Sequence, residues 1–534
     1  MDRLLGLLAT LCLGTMAVAQ SALPRLGQYD VLHYDFAISL FDGTDQIKGK
    51  AGLKMAVLQE ADTLTLDLYA IDQTGKGMGV KKVTTGTGDL FFRQSARRLH
   101  IWGSEAFQPG STDLSIEYEG VPADGLIIGE NKYGNRTFFG DNWPNRAHHW
   151  LPCNDHPSDK ATVSFRVQAP DGYQVVGTGA LKEERSLGDG RRETHWEAKV
   201  PIPTKVAVIG AAAFAIAHQG EAAGVPVSAW VFPENRKEGY ADYAPAAACL
   251  SFFSNRIGPF PYEKLANVQS KTRYGGMENA SNIFYFENSV TGLQDHVDLI
   301  AHEVAHQWFG NSVSEGNWHH IWLSEGFATY GANLFLEEAN GRAHLEERLI
   351  SDRQRVIAFA NRYSAPVIDT TITDWNKLLN PNAYQKGGWV LHMLRRKVGE
   401  QEFWKGLQAY YATYRDGNAL TIDFQRVMEE ACGCSLSSFF QQWLYLPGVP
   451  ELKVEWAYRS NGEVVLKVAQ QQKEGRYEFP LDVELRSADG QSYRFTAEVS
   501  GEDREYLLKP GFLPERMALD PDTWLLFKAQ IVGP

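Results

Sequence analysis

The sequence predicts a multidomain α+β protein: an N-terminal antiparallel β domain, an α-rich middle domain and a small C-terminal β sandwich. Three observations predict it. Apolar residues alternate with a period of two up to about residue 232, and the period turns helical from 233 to 446. Beyond Pro447-Gly448-Val449-Pro450, a strong breaker, the alternation returns.

Residues 1–19 read as a signal peptide. Arg3 supplies a positive start, residues 4–19 are apolar, and Ala17-Val18-Ala19 fits the small-residue cleavage rule. Sixteen apolar residues fall short of the roughly 20 that a membrane span needs. The mature chain is therefore expected to be soluble and exported, to the periplasm or the cell exterior.

Residues 20–232 form the first domain. LTLDLYAI (64–71), TDLSIEYEG (112–120) and TVSFRVQAP (162–170) alternate, and clusters of Gly, Asp and Pro separate such runs. Residues 233–446 form the second, with helical periodicity in ADYAPAAACLSFFSNRIG and in the long segment ANLFLEEANGRAHLEERLI. Residues 447–534 form the third, where ELKVEWAYRSNGEVVLKVAQ alternates about a Ser460-Asn461-Gly462 turn.

Composition bounds the function. The 534 residues are 44% hydrophobic and 22% charged, as in a folded globular protein, with a net charge of −13. Such a chain is no general nucleic-acid binder. Beyond the signal peptide the cysteines are Cys153, Cys249, Cys432 and Cys434. Cys432-Gly433-Cys434 is too tight for an unstrained mutual bridge, so scattered buried thiols are expected rather than a disulfide scaffold.

The chemistry is concentrated in AHEVAHQWFG (301–310). On a helix, residues four apart lie one turn above each other, so His302 and His306 present two imidazoles on one face. Zinc takes two of its ligands in that arrangement, and Glu303 stands close enough to reach a bound water without being a ligand. A catalytic zinc needs a third protein ligand. Glu325 in WLSEGFATY (322–330) is the candidate, with Ser324 as a helix cap before it.

These residues resemble peptidase family M1, the zinc aminopeptidases, whose signature is H-E-x-x-H, eighteen residues, then E. Eighteen residues separate His306 from Glu325, and HEVAHQWFGN and WLSEGFATY are similar to the family's flanking words. Ser324 stands where the family usually has asparagine. The resemblance implies a thermolysin-like catalytic domain, one Zn2+ per chain held by His302, His306 and Glu325, and Glu303 as general base. YGGMEN (274–279) resembles the family's G-x-M-E-N word. It implies that Gly275, Gly276, Met277, Glu278 and Asn279 bind the substrate, with Glu278 receiving its free α-ammonium. A carboxylate in a partly dry cleft discriminates strongly for that cation. NAYQKGGWVLHML (382–394) is similar to the segment that carries the oxyanion-stabilising tyrosine, here Tyr384.

HHWLPCNDHPSDKA (148–161) resembles a structural segment of the family and puts Cys153 in the fold. Family members carry a second amine-binding group shortly upstream, where this chain has GDNWP; Asp141 or Asn142 is the candidate. The histidines 148, 149, 156, 319 and 320 are read as packed or supporting rather than as a second metal site. Many relatives add a large helical domain after the β sandwich. Its absence from this sequence implies a more open cleft, or closure by a partner subunit in a homo-oligomer.

The reading is a zinc aminopeptidase that removes the N-terminal residue from peptides with a free amine. Three alternatives stand beside it: a zinc endopeptidase, which needs no amine anchor; an epoxide hydrolase, which the family associates with an aspartate where this chain has Asn376; and a catalytically silent binding protein, in which broken ligands would be expected.

Overall fold

The computed structural model describes residues 27–533; the expected signal peptide lies outside the described residues. The N-terminal domain is built on an eight-stranded sheet. Its order is Ala180–Ser186, Arg191–Pro203, Lys160–Pro170, Tyr29–Ser39, Ile47–Val57, Gly110–Val121, Gly77–Thr85 and Gly88–Asp89. The pairing of Tyr29–Ser39 with Lys160–Pro170 is parallel and its other pairings are antiparallel. Alternation sets the faces: Val31, Tyr34, Phe36 and Ile38 are buried while their neighbours are partly exposed.

The β character extends differently from the sequence pattern at one place. The hairpin Ala215–Ala222 and Val225–Val231 pairs onward, through a parallel contact, with Leu265–Ser270. With Asn282–Phe286 and Gly276–Met277 these strands form a five-stranded sheet that joins residues 215–231 of the first segment to the middle one. Leu265–Ser270 is buried at every position, so it shows none of the alternation that marks a half-exposed strand.

The longer helices of the middle domain are α1 (Arg236–Asp242), α2 (Pro245–Arg256), α3 (Val297–Ala305), α4 (Trp322–Asn340), α5 (Arg342–Ala360), α6 (Gly387–Val398), α7 (Glu400–Tyr414) and α8 (Thr421–Cys432). The long segment with helical periodicity is divided at Gly341 between α4 and α5. Trp308, Trp322 and Trp389 are fully buried among these helices. Each such side chain contributes on the order of 2–3 kcal/mol by leaving water.

The C-terminal domain packs a four-stranded sheet (Arg504–Leu508, Val464–Gln470, Glu451–Tyr458, Lys528–Val532) against a three-stranded one (Ser492–Val499, Phe479–Arg486, Arg516–Leu519), the expected sandwich. Its apolar residues join those of the helical domain in one continuous core.

The cysteine reading needs a correction. Cys432 and Cys434 are bonded to each other, while Cys153 and Cys249 are free and buried. Gly433, at φ 63° and ψ 27°, ends α8 in the left-handed conformation and turns the chain back. The two Cα atoms thereby stand 5.3 Å apart, an ordinary separation for a bridge.

Two buried lysines of the first domain grip the second. Lys160 Nζ donates to the carbonyls of Asn311, Ser312 and Gly417 at 3.0, 2.7 and 2.9 Å. Lys205 Nζ pairs with Glu315 at 2.6 Å, both side chains almost fully buried. Both lysines therefore hold the loop that follows His306.

Candidate active site

Helix α3 presents His302 and His306 on one face, their Nε2 atoms 3.0 Å apart. Glu325 Oε2, in the first turn of α4, lies 3.5 Å from His302 Nε2 and 3.2 Å from His306 Nε2. A tetrahedral zinc with bonds of about 2.0–2.1 Å sets its ligand atoms about 3.3 Å apart. The three separations bracket that value, so the donor set fits the ion the sequence implies.

The surroundings orient the donors. His306 Nδ1 faces the Phe309 carbonyl at 3.1 Å, which only accepts, so Nδ1 carries a proton and Nε2 is the atom turned into the site. Ser324 corrects the expectation that it caps a helix: α4 already starts at Trp322, and Ser324 Oγ lies 3.1 Å from His306 Nδ1. It supports the ligand instead.

Electrostatics make the site a trap for cations. Burial opposes a proton on His306, but Glu325, Glu278 and Glu303 together outweigh it and raise its pKa to about 9. Burial also works against ionisation of Glu325, yet His306 and His302 hold its carboxyl well below the usual range. Glu303 lies the other way: burial pushes it well above an ordinary glutamate, with Glu278 and Glu325 adding to the rise against His306. A carboxyl so placed takes up a proton readily, as a general base requires.

Gly276 and Met277 form a short strand antiparallel to Asn282–Phe286, and Gly276 packs directly on Glu303. The carbonyl of Glu278 accepts from Gln307 Nε2 at 2.8 Å and Asn311 Nδ2 at 2.6 Å, which clamps this segment to the end of α3. The Glu278 side chain is buried, and its Oε1 has no hydrogen-bond partner among the described residues. It lines the same cavity as His302, Glu303, His306 and Glu325. A buried carboxylate oxygen without a donor is costly unless a ligand supplies one.

Tyr384 sits on a widened turn, Asn382–Lys386, just before α6. Its ring stacks on His302 with centroids 5.9 Å apart. Burial and the carboxylates of Glu325, Glu278 and Glu303 hold the phenol well above its usual pKa, so it stays a donor. The turn reaches the site because α4 and α6 approach backbone to backbone. A Cβ added at Gly326 would stand 2.9 Å from the Cα of Gly387. Lys386, fully buried, donates to the Gly448 carbonyl at 2.7 Å and pins the turn to the linker before the sandwich.

The cavity encloses about 310 Å³. Gly275, Gly276, Met277, Glu278, His302, Glu303, His306, Glu325 and Tyr384 line it; Asn279 is fully buried and does not. Asp141 and Asn142 are not on its wall either. Asp141 pairs with Arg146 at 2.7 Å, and Asn142 is used by Thr204, Ala207 and Trp150. Their segment contributes Trp143 instead, an aromatic wall beside Tyr274. Asn376 is exposed and bonded to Asp374, off the cavity.

Among the described residues, the groups able to hold a metal are His302, His306 and Glu325, and the adjoining Glu278, Glu303 and His306. Of the histidines singled out in the sequence, His148 packs on Asp155, His149 on Tyr69 and His320 on Thr421. Sequence reasoning missed Trp143, Asp298, Thr329, Arg348, Asp352 and Arg355 on the wall; the helical spacing of Asp298 before His302 was the one available signal.

Comparisons with known proteins place the sequence in a family. The model for the Peptidase family M1 domain matches residues 242–443, and that for the Peptidase M1 N-terminal domain matches residues 31–206. The chain is 24% identical over 471 residues to Aminopeptidase 2, mitochondrial, of Saccharomyces cerevisiae, covering 82% of this chain and 48% of that protein. It is 27% identical over 384 residues to human Glutamyl aminopeptidase (66% and 40%) and 27% identical over 417 residues to rat Aminopeptidase N (71% and 42%). The chain thus spans about half the length, or less, of these relatives. By the two models, which between them take in most of the sequence, the chain belongs to peptidase family M1.

Proposed function

We propose that the protein is a zinc-dependent aminopeptidase that hydrolyses the first peptide bond of peptides with a free N-terminus. One observation carries the reading. Three donors at tetrahedral spacing share a cavity with a buried glutamate, Glu278, whose carboxylate has an oxygen free to receive an ammonium group.

His302, His306 and Glu325 would hold the zinc, which would supply a Lewis acid for the scissile carbonyl and lower the pKa of a water toward neutral. Glu303 takes a proton from the attacking water and passes it to the leaving amine. The Tyr384 hydroxyl donates to the oxygen on which negative charge develops. Glu278 fixes the α-ammonium, which sets the cleavage point one residue in, and the edge of Gly275 and Gly276 lies along the substrate backbone. An endopeptidase has no use for the Glu278 anchor, and the silent-protein alternative would be expected to have lost ligands.

Among the described residues no helix is long and apolar enough to cross a membrane. Export to the periplasm or outside the cell, where peptides would be trimmed, rests on residues 1–19.

The test is hydrolysis of a panel of aminoacyl amides, each against its N-acetylated twin, before and after chelation. Cleavage confined to the free amines, lost with chelator and restored by zinc, is expected. Equal cleavage of the acetylated twins would turn the reading into an endopeptidase or general amidase.

A further inference from the structure

The far wall of the cavity carries charge that the reaction does not use. Helix α5 places Arg348, Asp352 and Arg355 there, four and three residues apart and hence along one face. Beside Arg348, α3 contributes Asp298, one turn before His302.

The two arginines are not equivalent. Arg348 is committed: its Nε donates to Asn333 Oδ1 at 2.6 Å, and its Nη1 pairs with Asp298 at 3.3 Å. Arg355 has one ion-pair partner among the described residues, Asp352 at 4.0 Å, and 63% of its side chain is exposed. Its planar fork, with five donors, is left almost unused beside the cavity.

Position along α3 orders the sites. Glu278 is clamped by Gln307 and Asn311, at and beyond the C-terminal end of that helix. The zinc ligands His302 and His306 lie between. Asp298 and Arg348 mark the N-terminal end, about 6 Å further along the axis from His302 at 1.5 Å per residue. An extended peptide covers at most about 3.3–3.6 Å per residue, so three residues starting at Glu278 span about 10–11 Å toward the wall that carries Arg348 and, two turns along α5, Arg355.

We propose that Arg355 binds the C-terminal carboxylate of the substrate, which makes tripeptides the preferred substrates of this site. The cleft then reads both ends of a short zwitterion: a carboxylate for the ammonium, a guanidinium for the carboxylate. Arg348, already neutralised by Asp298, shapes the wall. The proposal rests on the aminopeptidase reading above, because it needs the amine held at Glu278.

The test compares the zinc-loaded wild-type protein and its Arg355→Gln variant on two matched tripeptides, one with a free C-terminal carboxylate and one amidated. The wild-type protein is expected to cleave the acid with kcat/KM about tenfold above the amide, mostly through KM, as fits one partly exposed charge-assisted contact. Arg355→Gln should bring the ratio close to one, and Arg355→Lys should restore part of it. Equal rates on acid and amide by the wild-type protein, or a ratio that survives Arg355→Gln, would overturn the carboxylate site and leave the aminopeptidase reading standing. No cleavage of either peptide would overturn both. Arg355 is exposed, so its loss should not prevent folding, which circular dichroism of the variant checks.

Discussion

Gly276 is packed against Glu303 so closely that an added Cβ would stand 2.3 Å from its Oε1. At the neighbouring Gly275 the nearest atoms are those of Leu299, at 3.7 Å. One glycine of the pair makes room for the Glu303 carboxyl, and the other does not. Gly276→Ala is therefore expected to displace the Glu303 carboxyl and lower kcat by about 100-fold, since small misplacements of a reacting group are that costly. Gly275→Ala should change kcat at least tenfold less. Steady-state kinetics on a free-amine dipeptide amide decides this.

Glu303 makes no contribution to the set of three zinc ligands in this account. Glu303→Gln should bind one zinc per chain, as measured by elemental analysis, while kcat/KM falls about 1,000-fold, within the range for loss of a general base. Retained activity would assign the proton transfer to another group.

Lys160 shows how the first domain supports the second. Its three carbonyl partners include Asn311 and Ser312, immediately beyond the helix that carries His306. Lys160→Met removes one donor from all three carbonyls, of which Asn311 keeps the Ser314 hydroxyl at 2.9 Å. The expected cost is about 3 kcal/mol of unfolding free energy, read from urea midpoints at fixed m-value.

Histidines outside the metal site set an acid limit. Burial, and the neighbouring His319, lower His320 to about 4, while its Nδ1 faces Thr421 Oγ1 at 2.8 Å. Burial likewise lowers His149 to about 4. A pKa depressed on folding gives stability that is complete above the unfolded value of about 6.5 and is lost as pH falls toward the folded one. Each histidine should cost up to about 3 kcal/mol between about pH 6.5 and pH 4. Urea unfolding at about pH 7 and about pH 4.5 should show a steep loss in the wild-type protein and a shallower one in His320→Asn.

The parts of this site legible in the sequence were those with a fixed spacing. His302 and His306 owe their meeting to helical periodicity, and the reach of Glu325 followed from a family spacing that two packed helices then realise. Illegible parts depend on contacts between distant segments. Lys160 reaches Gly417 across more than 250 positions, and no local pattern reports that. The strand Leu265–Ser270 was hidden by being buried on both faces, and the Cys432–Cys434 bridge by the turn at Gly433. Ser324 was read as a cap because it stands beside a helix start, whereas its partner His306 lies 18 positions back in the sequence.

The central claim is that one zinc sits among His302, His306 and Glu325 and leaves Glu278 for the substrate. Diffraction from zinc-loaded crystals at the zinc absorption edge tests it most directly. The account predicts a single anomalous peak about 2.0–2.2 Å from both Nε2 atoms and from a Glu325 oxygen, with Glu278 outside bonding distance. A peak held by Glu278, Glu303 and His306, which also converge closely enough to bind a metal, would contradict it.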